Sequence, residues 1–367
     1  MVVYLVWFII FLLIGFTSIY RNGKSTYDSM GQRIKAKRIS FQLFLFFLCG
    51  LSLIGLRDGG GVDDSQYRLF YEQGYGASLV NGFLTQKEPV FILIRQVGVA
   101  LKLNYKFMFF MYAALAMLFI CLALKNYKLN KTSLTIYILG FFCIAYTSAY
   151  TTMRQTLAMT IILYYYSLEK PTVKQSIVLS LFAFFTHYGS IIVVLIEFIR
   201  RKLEFRLDKV CKTFIPIICL VGGRIIDFQR IFERITSVTG MYSYMNLNEN
   251  YLASSNVGVF TLVMFAGYVL KVWSAKHKTE MLLRLESLQL IYFALAFLTS
   301  HLRWGTRIQM YYILFIPFIF IEDLKCISAS SRKIAIPLLA ILLIPCSVYV
   351  ISQSPDIMNA TRSLNFR

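Results

Sequence analysis

The chain is a succession of long apolar runs separated by short polar stretches, most of them basic. A helix needs roughly 20 apolar residues to cross a hydrocarbon core about 30 Å thick. Runs of that order predict spans at Val2–Tyr20, Ser40–Leu56, Phe107–Leu124, Leu134–Tyr150, Leu157–Leu168, Thr213–Asp227, Val257–Trp273, Leu288–Ser300, Ile308–Ile321 and Ile334–Ile351. The run from Leu134 to Leu168 is too long for one span, and the polar insert TSAYTTMRQT predicts a turn inside it. The run Ile177–Ile199 carries Thr186-His187-Tyr188-Gly189-Ser190 at its middle and predicts a helix broken into two arms. With those arms the count reaches about twelve transmembrane helices. The fold class expected is an all-α polytopic membrane protein, one integral domain over residues 1–367.

Orientation follows from the basic loops, which favour the cytoplasmic side. Arg21–Arg38 is strongly basic, so it is expected inside, the N-terminus outside and Ser40–Leu56 running outward. The first run lacks a basic leader and a small-residue cleavage site, and is expected to be retained as a span. The second span delivers residues 57–106 to the outer face. This loop holds Asp58, Asp63, Asp64, Glu72 and Glu88, and the helix-breaking run Gly59–Gly61. Val90–Leu103 is apolar but short, and is expected to lie as a helix in the outer interface. As a single span, Ile177–Ile199 would place Arg200, Arg201, Lys202, Arg206 and Lys209 outside. The two-arm reading keeps them inside, and membranes tolerate broken helices that protein buries or that line a cavity. A second outer loop is expected at 228–256, and both termini outside.

Composition agrees with this reading. Of 367 residues, 57% are hydrophobic and 15% charged, and the mean hydropathy is +0.62. Soluble domains carry about 25% charged residues. A net charge of +20 in a soluble chain would suggest nucleic acid. Here the basic residues sit in short loops between spans, so the expected partner is the lipid bilayer and not nucleic acid. The seven cysteines are scattered singly with no C-x-x-C pair, which signals neither a disulfide framework nor a metal site. No H-E-x-x-H motif appears, and adjacent Asp63 and Asp64 seldom converge on one ion; no metal or other cofactor is indicated.

Under this topology five polar clusters share the outer face: Arg57 with Asp63 and Tyr67, Glu88, Arg154 with Gln155, His187, and Arg303 with Arg307. Positive-inside bias should deplete arginine from that face, yet several remain at the ends of different spans. Intramembrane ionisable residues are costly and mark functional sites by default. Plainer roles stand beside this one. Arg57 and Arg154 also suit snorkelling at helix ends, His187 suits a cap on a broken helix, and the i,i+4 pair Arg303 and Arg307 suits a structural pairing with the acidic loop. Arginine's planar fork binds phosphate bidentately and keeps its charge. Arginines around an outer cavity therefore suit a lipid-linked diphosphate, whose developing charge they would stabilise on departure. Asp63 or His187 is the candidate base for an attacking sugar hydroxyl. An imidazole ordinarily titrates near neutral pH, while burial tunes a carboxylate upward, so both remain open. Tyr242, Tyr244 and Tyr251 in the second loop suit stacking on sugars or an interfacial aromatic belt.

At these residues the chain resembles a known family. GLRDGGGVDDSQYRLFYE looks like the arginine–glycine–aspartate–tyrosine element of EpsG-like, Wzy-type polysaccharide polymerases, and KEPVFILIRQV resembles the stretch that follows it there. MRQTLAMTI looks like the R-Q-x-x-A element, and FFTHYGSII resembles the F-H-x-S-A element with Gly189 where serine is usual. Arg303–Tyr311 is similar to the late arginine-to-tyrosine element. The ordered similarity runs from about Leu51 to Tyr312. It implies a membrane glycosyltransferase of the type C architecture, acting outside the bacterial cytoplasmic membrane. Its substrate would be undecaprenyl-diphosphate-linked oligosaccharide, from which a growing glycan passes to the next lipid-linked repeat unit. On that resemblance Asp63, His187 and Arg154 are the catalytic candidates, and Arg57, Tyr67, Glu88, Gln155, Arg303 and Arg307 the substrate-binding ones. A chain-length regulator is a further candidate partner. A transporter or flippase of lipid-linked sugars would use the same arginines, but would be expected to carry inverted repeats, and the sequence shows none.

Overall fold

The computed structural model describes residues 30–57, 63–73, 88–168, 171–203, 207–226, 259–274, 280–300 and 305–326, with the isolated positions Ser331 and Ala335. Every regular element among the described residues is a helix. The expected span Val2–Tyr20, all of Ile334–Ile351 but Ala335, residues Gly59–Gly61, the loop 228–256 and Arg303 lie outside the described residues. The chain divides into two compact units, one drawn from Met1–Ile191 and Asp323–Arg367, the other from Ile192–Glu322.

In the first unit the elements are α1 (Met30–Gly55), α2 (Asp64–Gln73), α3 (Pro89–Ala100), α4 (Lys106–Asn126), α5 (Lys131–Gly140), a π-helical turn (Phe141–Ala145), α6 (Tyr146–Thr151), α7 (Met153–Ser167) and α8 (Val173–Thr186). Helix α4 is apolar between Lys106 and Lys125 and 21 residues long, about 31 Å at 1.5 Å per residue, enough to cross a bilayer. Among the described residues it alone meets both the length and the composition for a crossing; Phe41–Gly55, Thr132–Ala145 and Val173–Thr186 are shorter apolar stretches. α4 packs against α1 and α7. Gly55 allows the first contact, since a Cβ there would meet the Ala113 Cβ at 3.1 Å and the Phe110 Cα at 3.2 Å. Met108, Met117 and Ala123 of α4 and Leu157, Ala158, Ile161 and Leu163 of α7 are wholly buried. Phe46 of α1 meets Phe141 and Phe142 of the π turn edge-on, at 5.4 and 6.0 Å between centroids. Local chemistry sets the ends. Asn130 caps α5 by accepting from the Ser133 amide at 2.9 Å. Thr172 and Gln175 form a reciprocal capping box on α8. α3 starts on Pro89 and closes with paired bonds, the Leu103 amide to the Gly98 carbonyl and the Lys102 amide to the Val99 carbonyl. That Schellman closure holds Lys102 at φ 57°, in the left-handed region.

The second unit contains α9 (Ser190–Leu203), α10 (Lys209–Ile225), α11 (Val259–Ser274), α12 (Glu280–Leu298), α13 (Gly305–Ile313) and α14 (Ile316–Cys326). α10 and α12 are in backbone contact: a Cβ on Gly223 would lie 2.4 Å from the Leu298 carbonyl oxygen. α10 is inside-out by the standards of a soluble protein. Val210, Phe214, Ile217, Ile218, Val221 and Ile225 are exposed, while Lys212, Thr213, Pro216 and Gly223 are buried. An apolar solvent selects that inversion, because polar groups in hydrocarbon must find partners inside the protein. The buried groups are paired accordingly. Arg200 binds Glu197 through two bonds of 2.7 and 2.9 Å and donates to the Ser287 Oγ at 3.0 Å. Lys212 meets Glu286 at 3.4 Å, and Lys271 donates to the Gln289 side chain. Glu286, Ser287 and Gln289 thus give α12 one polar partner on each of α10, α9 and α11.

The expected breaks are present, at Thr152 between α6 and α7 and at His187–Gly189 between α8 and α9. Four features differ by more than a few residues at a helix end. α1 begins at Met30, inside the expected basic loop Arg21–Arg38, and α12 at Glu280, eight residues before the expected span. Both extensions are rich in Gln, Glu, Lys, Arg, Met and Leu, good helix formers that carry a helix past its apolar section. The acidic loop contains α2, where no element was expected. The expected span Ile308–Ile321 is two helices with a turn at Leu314–Phe315. Pro317 in the first turn of α14 has no amide to continue the α13 ladder, and its ring would clash with the carbonyl four residues back.

Two substitutions test these contacts. Gly223→Ala places a methyl against backbone that cannot rotate away, and should cost about 1–3 kcal/mol; an unchanged thermal unfolding midpoint in detergent would remove the close approach. Lys102→Gly relieves a left-handed L-residue worth about 1–2 kcal/mol against a glycine entropy cost of about 0.5–1 kcal/mol. The midpoint should therefore rise modestly, and a fall would contradict the Schellman closure.

Candidate functional site

Three helix ends meet in the first unit. Glu88 precedes Pro89 at the start of α3, Arg154 lies in the first turn of α7, and His187 follows the last turn of α8. Each position follows from a local break in the chain. Pro89 fixes the entry to α3. Thr152 leaves helical geometry with φ −124° and ψ 64°, and so starts α7 next to Arg154. His187 is extended, at φ −157° and ψ 114°, while its amide still bonds the Ala183 carbonyl at 3.0 Å.

The Glu88 carboxylate joins the other two. Its Oε2 accepts from Arg154 Nη1 at 2.6 Å, and its Oε1 lies 2.8 Å from His187 Nδ1. With the ring proton on Nδ1, the imidazole donates to Glu88 and its Nε2 remains a proton acceptor. Glu88 is 8% exposed, whereas Arg154 and His187 are 27% and 25% exposed. The carboxylate is therefore the buried anchor, and the cation and the imidazole are the accessible groups. Arg154 is held further by Tyr67 of α2, whose hydroxyl accepts from Nε at 3.2 Å. The guanidinium sits 5.1 Å from the Tyr67 ring and 5.5 Å from the Phe91 ring, a cation–π arrangement. Burial pushes the Tyr67 hydroxyl up to about 12, against the opposing pull of the Arg154 charge, so it stays protonated. Tyr112 of α4 is buried beside this group, within reach of the Glu88 and Arg154 charges.

Arg57 forms a second cluster on the same aromatic wall. It is 1% exposed, donates to Asp64 Oδ1 at 2.6 Å and to the Tyr150 carbonyl, and lies 4.6 and 4.7 Å from the Phe109 and Tyr150 rings. One guanidinium thereby ties the end of α1 to α2, α4 and α6. Removing one partner of such a buried pair costs about 3–5 kcal/mol. The Tyr67 and Phe109 rings, 6.4 Å apart, connect the two clusters.

Of the residues singled out in the sequence, the structure brings Tyr67, Glu88, Arg154 and His187 into one network. Arg57 was grouped with Asp63 and Tyr67, but its carboxylate partner is Asp64. Asp63 stands one residue before α2, its carbonyl accepting from the Tyr67 amide at 2.9 Å and its charge acting on the Tyr67 hydroxyl. Gln155 is buried in α7. Arg307 is exposed on α13 in the other unit. Sequence reasoning missed Asp64, Tyr112 and the Tyr150 carbonyl. Two neighbouring acids in a loop look alike until a helix starts between them, a tyrosine in an apolar run reads as core, and a backbone acceptor leaves no trace in composition.

No curated protein and no solved structure matches this sequence. The EpsG family model matches residues 40–362, a stretch that contains every residue of both clusters. The chain belongs to the EpsG family.

Proposed function

We propose that this chain is a membrane polysaccharide polymerase, a glycosyltransferase that moves a growing glycan from undecaprenyl diphosphate onto a lipid-linked repeat unit. The reaction would take place at the outer face of the bacterial cytoplasmic membrane. The observation that carries the reading is the sharing of one buried carboxylate, Glu88, between an accessible guanidinium and an accessible imidazole. Membership of the EpsG family and the inside-out helices support the membrane setting. The arrangement of about twelve spans, with residues 57–106 outside and α3 in the interface, is part of the proposal. The exposed line of Leu93 and Val97 on α3 and Leu101 just after it favours that placement.

In this reading His187 Nε2 accepts the proton of the acceptor sugar's hydroxyl as its oxygen attacks the anomeric carbon. The bond from that carbon to the carrier diphosphate breaks, and the diphosphate leaves with the electron pair. Arg154 stabilises the charge on the leaving oxygens with the N–H groups that Glu88 and Tyr67 do not use. Glu88 fixes the imidazole tautomer and stabilises the imidazolium that forms, a carboxylate–histidine pairing that general-base chemistry recurrently employs. Arg57 is buried and bonded to Asp64 and the Tyr150 carbonyl, and acts by positioning α2, and with it Tyr67.

The test is elongation of lipid-linked repeat units by the purified protein in liposomes. Arg154→Ala and Arg154→Lys should both yield single repeat units and no long chains, since Lys lacks the planar fork; normal chain length in both variants removes Arg154 from the site. His187→Ala should slow elongation by about 10²–10⁴-fold, and Glu88→Gln by less. Undiminished rates in His187→Ala with loss in Asp63→Asn would transfer the base role to Asp63. Passage of the repeat unit across the bilayer without elongation would replace the polymerase by a flippase.

A further inference from the structure

Four cations are buried among the described residues: Arg57, Arg95, Arg200 and Lys212. Three of them have a carboxylate, Asp64, Glu197 and Glu286 respectively. Arg95 has none. It is 2% exposed, its Nε is sealed from solvent without a partner, and its one hydrogen bond runs from Nη1 to the Phe70 carbonyl at 3.3 Å. A guanidinium carries five N–H donors, and this one spends a single donor on a long bond. Burial lowers its pKa, and no neighbouring charge contributes. An uncompensated buried cation is strongly unfavourable, and the chain had cheaper options at this position, as its paired cations show.

The position explains what the cation is for. Arg95 lies one turn after Phe91 on the same face of α3, the face that begins at Glu88. The rise of α3 places it roughly 10 Å along the helix from Glu88. The Phe91 ring has the Arg154 guanidinium 5.5 Å from its centroid and meets Phe70, the residue that holds Arg95, at 6.5 Å. One aromatic pair thus separates two arginines on adjoining elements, one paired with Glu88 and one held without an anion.

We propose that Arg95 is the anion-binding residue of a second phosphate subsite, which takes the diphosphate of the second lipid-linked substrate. The proposal rests on the polymerase reading, in which two carriers must be held at once, the donor at Arg154 and the acceptor at Arg95. The recognised chemistry is a phosphate group, and the lipid-borne diphosphate is its source.

Binding is measured on the full-length protein in zwitterionic nanodiscs, with undecaprenyl diphosphate and inorganic pyrophosphate as probes and thermal unfolding of the ligand-free protein alongside. Arg95→Met should leave the ligand-free midpoint unchanged or raise it, because an apolar side chain replaces an unpaired charge. It should weaken binding of undecaprenyl diphosphate about tenfold to a hundredfold, the worth of a charge-assisted contact. In an Arg154→Ala background the remaining binding should disappear on adding Arg95→Met. A lower midpoint with unchanged affinity makes Arg95 structural and overturns the proposal. Should Arg95→Met not fold, Arg95→Lys decides: weaker binding at an unchanged midpoint supports the subsite, and unchanged binding overturns it. Pyrophosphate binding that exceeds undecaprenyl diphosphate binding, or displacement of the carrier by phosphatidylglycerol, overturns the assignment to a lipid-linked substrate. Loss of elongation in the wild type with both binding classes intact sinks the polymerase reading and leaves the subsite standing. Elongation by Arg95→Met with an unchanged KM for the acceptor sinks the subsite and leaves the polymerase.

Discussion

A charge removed from water must be answered inside the protein, and in this chain that requirement decides where helices end and which of them touch. Glu88 is the case on which the candidate site depends. Its carboxylate is nearly enclosed, so it is tolerable only while cations and donors surround it. The chain meets that need with two side chains from helix ends far apart in sequence, Arg154 and His187, 66 and 99 residues from Glu88. The pairing that stabilises the carboxylate therefore also fixes the position of the two accessible groups. Stability and, in the proposed polymerase, chemistry rest on the same three side chains.

The arginines differ in what surrounds them, and this separates their roles. Arg57 is flanked by two rings, bonded to Asp64 and to a backbone carbonyl, and shut away from solvent. Such a group, matched by its own carboxylate, holds helices together. Arg154 is bonded to one carboxylate oxygen and one phenol and keeps a quarter of its surface open. The sequence offers no means of telling these two apart, since both are arginines at the ends of apolar runs. The distinction arises from packing: α1 brings Arg57 under Phe109 of α4, whereas the break at Thr152 leaves Arg154 at the rim.

What was legible beforehand was whatever hydrophobicity and charge record directly. Long apolar runs gave the helices, the polar inserts at Thr152 and His187 gave the breaks, and ionisable residues near helix ends gave Tyr67, Glu88, Arg154 and His187. What escaped was set by local propensity or by geometry. Helix α2 is polar on average and emerges only when Tyr67 and Tyr71 pack inward, Tyr71 donating to the Leu103 carbonyl at 2.7 Å. The choice of Asp64 over Asp63 turns on one residue of register at the start of that helix. The division of Ile308–Ile321 turned on Pro317, a signal present in the sequence but outweighed by an unbroken apolar run.

The inversion of α10 and the pairing of its buried lysine show the same rule from the other side. On α10 the apolar residues face outward and Lys212 faces in, towards Glu286 of α12. An inward charge here costs little because its partner is supplied by the adjacent helix, and the contact in turn selects that helix as neighbour. Bulk apolar packing cannot make such a selection in lipid, where the tails are as apolar as the side chains. Helix recognition in this protein is therefore left to close-approach glycines such as Gly55 and Gly223, and to matched polar pairs. Among the described residues, buried ion pairs such as Arg57–Asp64 and Lys212–Glu286 sit where one helix meets another. A buried charge without a match, as at Arg95, runs against this rule, and so points beyond the chain itself for its partner.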